Sequence, residues 1–206
     1  MRILIACEES QIVTKEFRLM GHEAYSCDIL PTSGANPEWH LQQNVIPLLK
    51  EKWDMMIAHP PCTYLSNAGN RWFNELKYGN KAKERKKLRL EAFNFAMLLI
   101  NADISEIALE NPVGWINSHY RKSDQIIHPY FFGDFESKRT CLWLKNLPLL
   151  VSTKIVSPKI YGYYKKGKKK GKPIYWCDYL QCSKDRGRIR SKTFIGMAKA
   201  MAIQWG

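Results

Sequence analysis

The chain contains no run of eighteen apolar residues, and Met1-Arg2 passes straight into Ile3-Leu4-Ile5-Ala6. Neither a membrane span nor a secretory leader is therefore expected, and the protein is placed in the cytoplasm. It is short of acid: 19 Asp+Glu against 32 Lys+Arg leave a formal charge of +13, which calls for a polyanionic partner. It lacks a dense cysteine framework. The six cysteines at 7, 27, 62, 141, 177 and 182 read as free thiols of a reducing compartment rather than as disulfides. Cys177 and Cys182 have no second pair of cysteines or histidines to complete a ligand set, so zinc is not favoured and no metal is expected. No internal repeat is present.

What is there suits a single α/β domain with a small appendage, since 206 residues at 45% hydrophobic content can bury a sizeable core. Residues 2–7 read as a buried strand, 11–20 as an amphipathic helix ended by Gly21, and 23–28 as a second strand, a β-α-β opening. Residues 44–49, 54–58 and 104–109 add strand or helix-edge elements, with a long helix over about 81–101 before the last of them. Strands alternating with helices predict a mostly parallel sheet with helices on both faces. Residues 131–135 and 140–144 are expected as late strands, one an antiparallel edge. From 151 to 190 the composition shifts to Lys, Gly, Tyr and Pro, and residues 192–204 return as a helix. The predicted division is a catalytic domain over 1–150 and 190–206, with a small, basic, loop-rich insertion over 151–189.

Two turn sequences carry the chemistry. The apolar run Trp53-Asp54-Met55-Met56-Ile57-Ala58 ends in His59-Pro60-Pro61-Cys62. The prolines stop the strand and hold a thiol at its carboxyl edge, where open α/β sheets bind ligands. The second run, residues 104–109, ends in Glu110-Asn111-Pro112. Alone, Cys62 reads as a small buried hydrophobe and Glu110 as a surface carboxylate or cap; together they form a thiol and an acid for covalent chemistry. Two basic clusters follow, one at Lys81, Lys83, Arg85, Lys86, Lys87 and Arg89 on the long helix. The other, at Lys165, Lys166, Lys168, Lys169, Lys170 and Lys172, is flanked by Tyr161, Tyr163, Tyr164, Tyr175 and Trp176. A charge run alone is usually a solvated face, but lysines interleaved with aromatics suit phosphates beside stacked bases.

With these elements in order, the chain resembles the DNA cytosine carbon-5 methyltransferases, as a compact, phage-like member with a reduced target-recognition region. The likeness rests on Pro60-Pro61-Cys62 followed by Leu65-Ser66-Asn67-Ala68-Gly69, and on Glu110-Asn111-Pro112. Weaker matches are residues 136–140, where the family has a Gln-x-Arg-x-Arg segment, and 190–204, similar to its cofactor-side helix. The resemblance implies a Rossmann-like, S-adenosylmethionine-dependent methyltransferase fold acting on DNA, with Cys62, Glu110 and Arg139 catalytic. It implies cofactor contacts from Cys7, Glu8, Glu9, Ser10, Asp28, Ile29, Asn44 and Pro60. Ala6-Cys7-Glu8-Glu9-Ser10 stands where the family has a Phe-x-Gly-x-Gly turn, Asp28 where its acid binds ribose hydroxyls, and Asn44 where an Asp reads adenine. DNA contacts are expected from Ser66, Arg71, Lys165, Lys166, Lys168, Lys169 and Lys170, with Arg71, Trp72 and Phe73 on a clamp loop over residues 63–80. Other readings of the same residues are a catalytically inactive nucleic-acid binder, a modifier of cytosine nucleotides, and an amino-methyltransferase. The last of these needs a side-chain acceptor where His59 stands and an aromatic where Cys62 stands.

Overall fold

The computed structural model describes residues 1–180 and 186–206; Cys182 lies outside them. Seven strands make one sheet: β1 (Arg2–Ala6), β2 (Glu23–Asp28), β3 (His40–Gln42), β4 (Met55–Ala58), β5 (Glu106–Pro112), β6 (Gln125–Ile127) and β7 (Thr140–Lys145). Their order is β3-β2-β1-β4-β5-β7-β6. Neighbours are parallel except at β7, which runs antiparallel to both β5 and β6. This is the α/β class expected from the sequence, a mostly parallel sheet with helices on both faces. The helices are α1 (Ile12–Leu19), α2 (Glu75–Tyr78), α3 (Asn80–Ile100), α4 (Trp115–His119), α5 (Trp176–Tyr179), α6 (Arg186–Ser191) and α7 (Ile195–Trp205), and a two-stranded hairpin, β8 (Gly162–Tyr163) with β9 (Pro173–Ile174), stands apart from the sheet.

The strands are apolar on both faces because helices cover both. In β1 and β4, Leu4, Ala6, Met56 and Ala58 face a core completed by Ala96, Leu99 and Ile100 of α3 and by Trp143. Ile3, Ile5, Met55 and Ile57 face the opposite core, with Val13 and Phe17 of α1 and Met197, Ala198, Met201 and Trp205 of α7. Period-two alternation along each strand thus feeds two separate hydrophobic layers.

Two expected elements fall elsewhere, and a third takes the helical of its two readings. In residues 44–49, Pro47 opens a 3-10 turn, Pro47–Lys50, and the pairing strand lies earlier, with His40 opposite Ser26. A proline removes the donor that a ladder needs. Residues 131–135 turn instead of pairing, because a 3-10 turn over Pro129–Phe131 runs into Gly133 at φ 93; the edge strand is Gln125–Ile127. The C-terminal helix begins at Ile195 and not at residue 192, since Phe194 is extended and its ring packs edge-on against Trp176.

Phe17 is fully buried between α1 and α7. Phe17→Ala is therefore expected to lower unfolding stability by about 3–5 kcal/mol, read as a fall in the urea midpoint with an unchanged slope.

Candidate active site

The first loop follows β1 without a glycine, and the backbone supplies the missing freedom from other residues. Cys7 and Gln11 both adopt left-handed conformations, at φ 60 and φ 57. The Gln11 amide holds the loop in place: its Nε2 donates to Asn36 O (2.6 Å) and its Oε1 accepts from Asn36 N (3.2 Å). The four expected cofactor residues of this loop then diverge. Glu8 is buried and caps α1, accepting Val13 N–H (2.7 Å), Thr14 N–H (3.2 Å) and the Thr14 hydroxyl (2.6 Å); a carboxylate belongs at such a terminus. Ser10 lies at 3.5 Å from the same carboxylate. The Cys7 thiol is pushed up by burial and by Asp28. Glu9 binds Ser33 N–H through Oε2 (3.2 Å), whereas its Oε1 is buried with no partner among the described residues.

Beside this loop, Asp28 ends β2 with a half-buried carboxylate whose Oδ1 accepts Leu30 N–H (2.9 Å). Ile29 and Leu30 then lie exposed, at 73% and 52%, an apolar pair flanking an acid. Asn44 is exposed, and its Oδ1 accepts Ile46 N–H (2.9 Å), so the amide oxygen already caps a turn. The crevice where the chain leaves β1 in one direction and β4 in the other is the topological switch point of the sheet.

Across that crevice stand β4 and β5. Their parallel register pairs Ala58 with Leu109, so the next residues of each strand, His59 and Glu110, are brought side by side. His59 Nδ1 lies 3.1 Å from Glu110 Oε2, with both side chains only 9% exposed. Asn111 locks the turn by donating Nδ2–H to Pro60 O (2.8 Å). Asn111 Oδ1 and His59 Nε2 are buried and find no partner among the described residues. Cys62 opens the next turn, its carbonyl accepting Leu65 N–H (3.1 Å) and Ser66 N–H (3.0 Å). Ser66 bridges to Gly114, where an added Cβ would sit 1.9 Å from Leu65 O. The loop after Cys62 and the chain after β5 are therefore zipped together at a contact that admits no side chain.

The charges follow from this closeness. The Cys62 thiol is pushed up by burial and then by Glu110, while Lys138 and Arg190 pull it down. Glu110 is fully enclosed, and burial alone would raise it; Lys138 and the His59 hydrogen bond more than offset this and hold it below the usual carboxylate range. The basic group facing the thiol and the acid is thus Lys138. Arg139 is exposed, and its charge acts on His128 and Cys141 instead. Cys177 senses the same two cations, Arg190 and Lys138. His59 stands in the turn that presents Cys62, and Lys138 and Arg190 fall in the weaker matches at 136–140 and 190–204, whose degenerate pattern does not single them out; Cys177 carries no motif.

The two basic clusters also resolve differently. On α3, Arg89 is 7% exposed; it donates to Tyr64 O (2.8 Å) and Asn70 Oδ1 (2.8 Å), and its guanidinium lies 3.2 Å from the Phe73 ring centre and 4.5 Å from that of Trp115. Arg85 reaches Thr63 O (3.1 Å) and stacks on Tyr64. These two arginines anchor residues 63–73 and leave the solvent face to Lys81, Lys83, Lys86 and Lys87, of which Lys86 pairs with Glu75. Arg71 is exposed over Trp72. A cavity of about 780 Å³ lies on the outer side of this loop, between Tyr64, Trp72, Tyr78 and Arg85, and Cys62 and Glu110 do not line it. Lys165, Lys166, Lys168, Lys169 and Lys170 sit exposed between β8 and β9, at the tip of a hairpin. Asp178 lies 3.4 Å from Lys169. Tyr161 stacks on Tyr179 and donates to Glu136, leaving Tyr163 exposed among the flanking rings. No group of His, Cys, Asp or Glu among the described residues could hold a metal ion, and no described helix is long and apolar enough to cross a membrane.

The coupling has a measurable sign. Glu110→Gln removes a negative charge that raises the thiol, so more thiolate forms at a fixed pH and alkylation of Cys62 by iodoacetamide should quicken several-fold. Lys138→Met should slow it. Peptide mapping of alkylation rates between about pH 7 and 9 reads both; rates that ignore both substitutions would separate the two groups.

No protein-family model matches the chain, and no curated protein matches it. Among solved structures it is similar to a DNA modification methyltransferase encoded within a prophage of E. coli. The match has 12% identity and a TM-score of 0.45, and covers 75% of this chain and 51% of that one, so the chain spans about half the length of that protein.

Proposed function

We propose that the protein is an S-adenosylmethionine-dependent DNA cytosine carbon-5 methyltransferase. The observation that carries the reading is the enclosed trio His59, Cys62 and Glu110 at the carboxyl ends of two adjacent strands, one step from the switch-point crevice. The crevice residues suit the cofactor: Asp28 offers an acceptor for vicinal hydroxyls, the apolar Ile29 and Leu30 follow it, and Glu9 Oε1 is a buried acceptor without a partner. Bound there, S-adenosylmethionine would supply an electrophilic methyl group to the carbon that the protein makes nucleophilic.

The residues of the chain do the rest. Cytosine is too electron-poor to attack through carbon 5 until a nucleophile adds at carbon 6, the role of Cys62. Its thiol rests protonated; as the ring arrives its proton passes to Glu110, and Lys138 and Arg190 stabilise the thiolate. Glu110 accepts one N–H of the exocyclic amine and gives that proton to the ring nitrogen, neutralising the charge that develops there on addition. A water then takes the carbon 5 proton and the thiolate leaves. Arg71, Ser66 and the hairpin lysines supply phosphate contacts, and the loop over residues 63–80, held by Arg85 and Arg89, flanks a base taken out of the helix. The hairpin, within residues 151–189, serves as a reduced recognition region.

Oligonucleotides containing 5-fluorocytosine should form a covalent adduct with the wild-type protein and none with Cys62→Ala, by denaturing gel and mass spectrometry. In calorimetric titrations Asp28→Ala should weaken S-adenosylmethionine binding about tenfold, or 1.4 kcal/mol; a wild-type titration without heat would favour a nucleic-acid binder without catalysis.

DNA affinity should fall steeply with salt, and replacing Lys165, Lys166, Lys168 and Lys170 by alanine should flatten the log–log slope by about three to four. A slope unchanged by the four substitutions would take the hairpin out of the DNA interface.

A further inference from the structure

Building on that reading, we propose that His59 is a specificity-determining residue: Glu110 holds its Nδ1, and its bare Nε2 accepts the outer N–H of the exocyclic amine on the target pyrimidine. The placement is fixed by the sheet, because the β4–β5 register sets residues 59 and 110 side by side and the prolines that follow His59 leave its backbone little freedom. Glu110 is an acceptor, so the 3.1 Å contact is an Nδ1–H donated to Oε2. A neutral imidazole with its hydrogen on Nδ1 presents a lone pair at Nε2. That atom is buried and has no partner among the described residues. Leaving such an acceptor unsatisfied is destabilising, and a ligand that donates to it removes the penalty.

A cytosine edge presents a ring nitrogen and an amine with two N–H groups. The inner N–H falls to Glu110, which also holds the ring nitrogen once that carries a proton. The outer one needs a second acceptor in a pocket that excludes water, and His59 Nε2 is a buried acceptor without a partner among the described residues, on the side chain that Glu110 itself holds. A uracil or thymine edge places a carbonyl there instead, setting lone pair against lone pair. Sites that hydrogen-bond a particular group reject analogues lacking it far more strongly than sites that only enclose it. The charged groups beside this unit are Glu110 on His59 Nδ1, Lys138 on Glu110, and Lys138 and Arg190 on Cys62. None of them supplies a lone pair at the position of Nε2.

The test compares covalent trapping by oligonucleotides carrying 5-fluorocytosine or 5-fluorouracil. The wild-type protein should trap 5-fluorocytosine about 100-fold faster. His59→Phe should lose the preference. His59→Gln, whose amide can turn either oxygen or nitrogen to the base, should trap both at similar rates and guards against a fold defect in the phenylalanine variant. If both variants retain the wild-type preference, the role of His59 is overturned and the methyltransferase reading stands. If the wild-type protein traps neither base, that reading falls and the inference falls with it.

Discussion

The hydrogen-bonded register between β4 and β5 is the constraint on which the candidate site depends. Pairing Ala58 with Leu109 leaves His59 and Glu110 as the first residues beyond the matched ends, and a shift of one residue would send each side chain to the other face. That register is held from both sides of the sheet. Met56, Ala58, Ile107 and Leu109 pack against α3, and Met55, Ile57 and Ala108 against α1 and α7. The site is therefore a by-product of a two-faced core: the burial that stabilises the strands also aligns the thiol, the acid and the imidazole.

Burial has an opposite effect on reactivity. The enclosure that lets a carboxylate and a thiol act strongly on one another also disfavours both of their charged forms. The structure resolves this unevenly. Lys138 and His59 keep Glu110 anionic, whereas the same negative charge helps keep the Cys62 thiol protonated. A resting state with one anion and one neutral thiol is easier to bury than one with two anions, and it leaves activation to the arrival of a ring that takes up charge.

The sheet and the two halves of the site were legible because they rest on local signals. Apolar runs stopped by Pro60-Pro61 and by Asn111-Pro112 mark strand ends, and strand ends in such folds are where ligands bind. The alternation of Leu4 and Ala6 with Ile3 and Ile5 marks two covered faces. What escaped depended on pairing or on distant chain. The short strands His40–Gln42 and Gln125–Ile127 have too few residues to show a period. Lys138 and Arg190 act on the thiol from segments with only degenerate matches, and such a segment does not say which basic side chain lies nearest the thiol. Arg85 and Arg89 read as surface charge, since a helix drawn from sequence does not reveal that a loop of aromatics folds over it.

Arg89 also limits how the molecule can move. Its guanidinium sits between two rings and holds a backbone carbonyl and an amide of the loop that follows Cys62. Swinging that loop outward would strand a cation in an apolar cleft, so the wall on that side behaves as a fixed jamb. Across from it act the charges of Lys138 and Arg190, on chain segments outside the central sheet. A guest reaching the thiol therefore meets a rim already set in position on the side of Arg89.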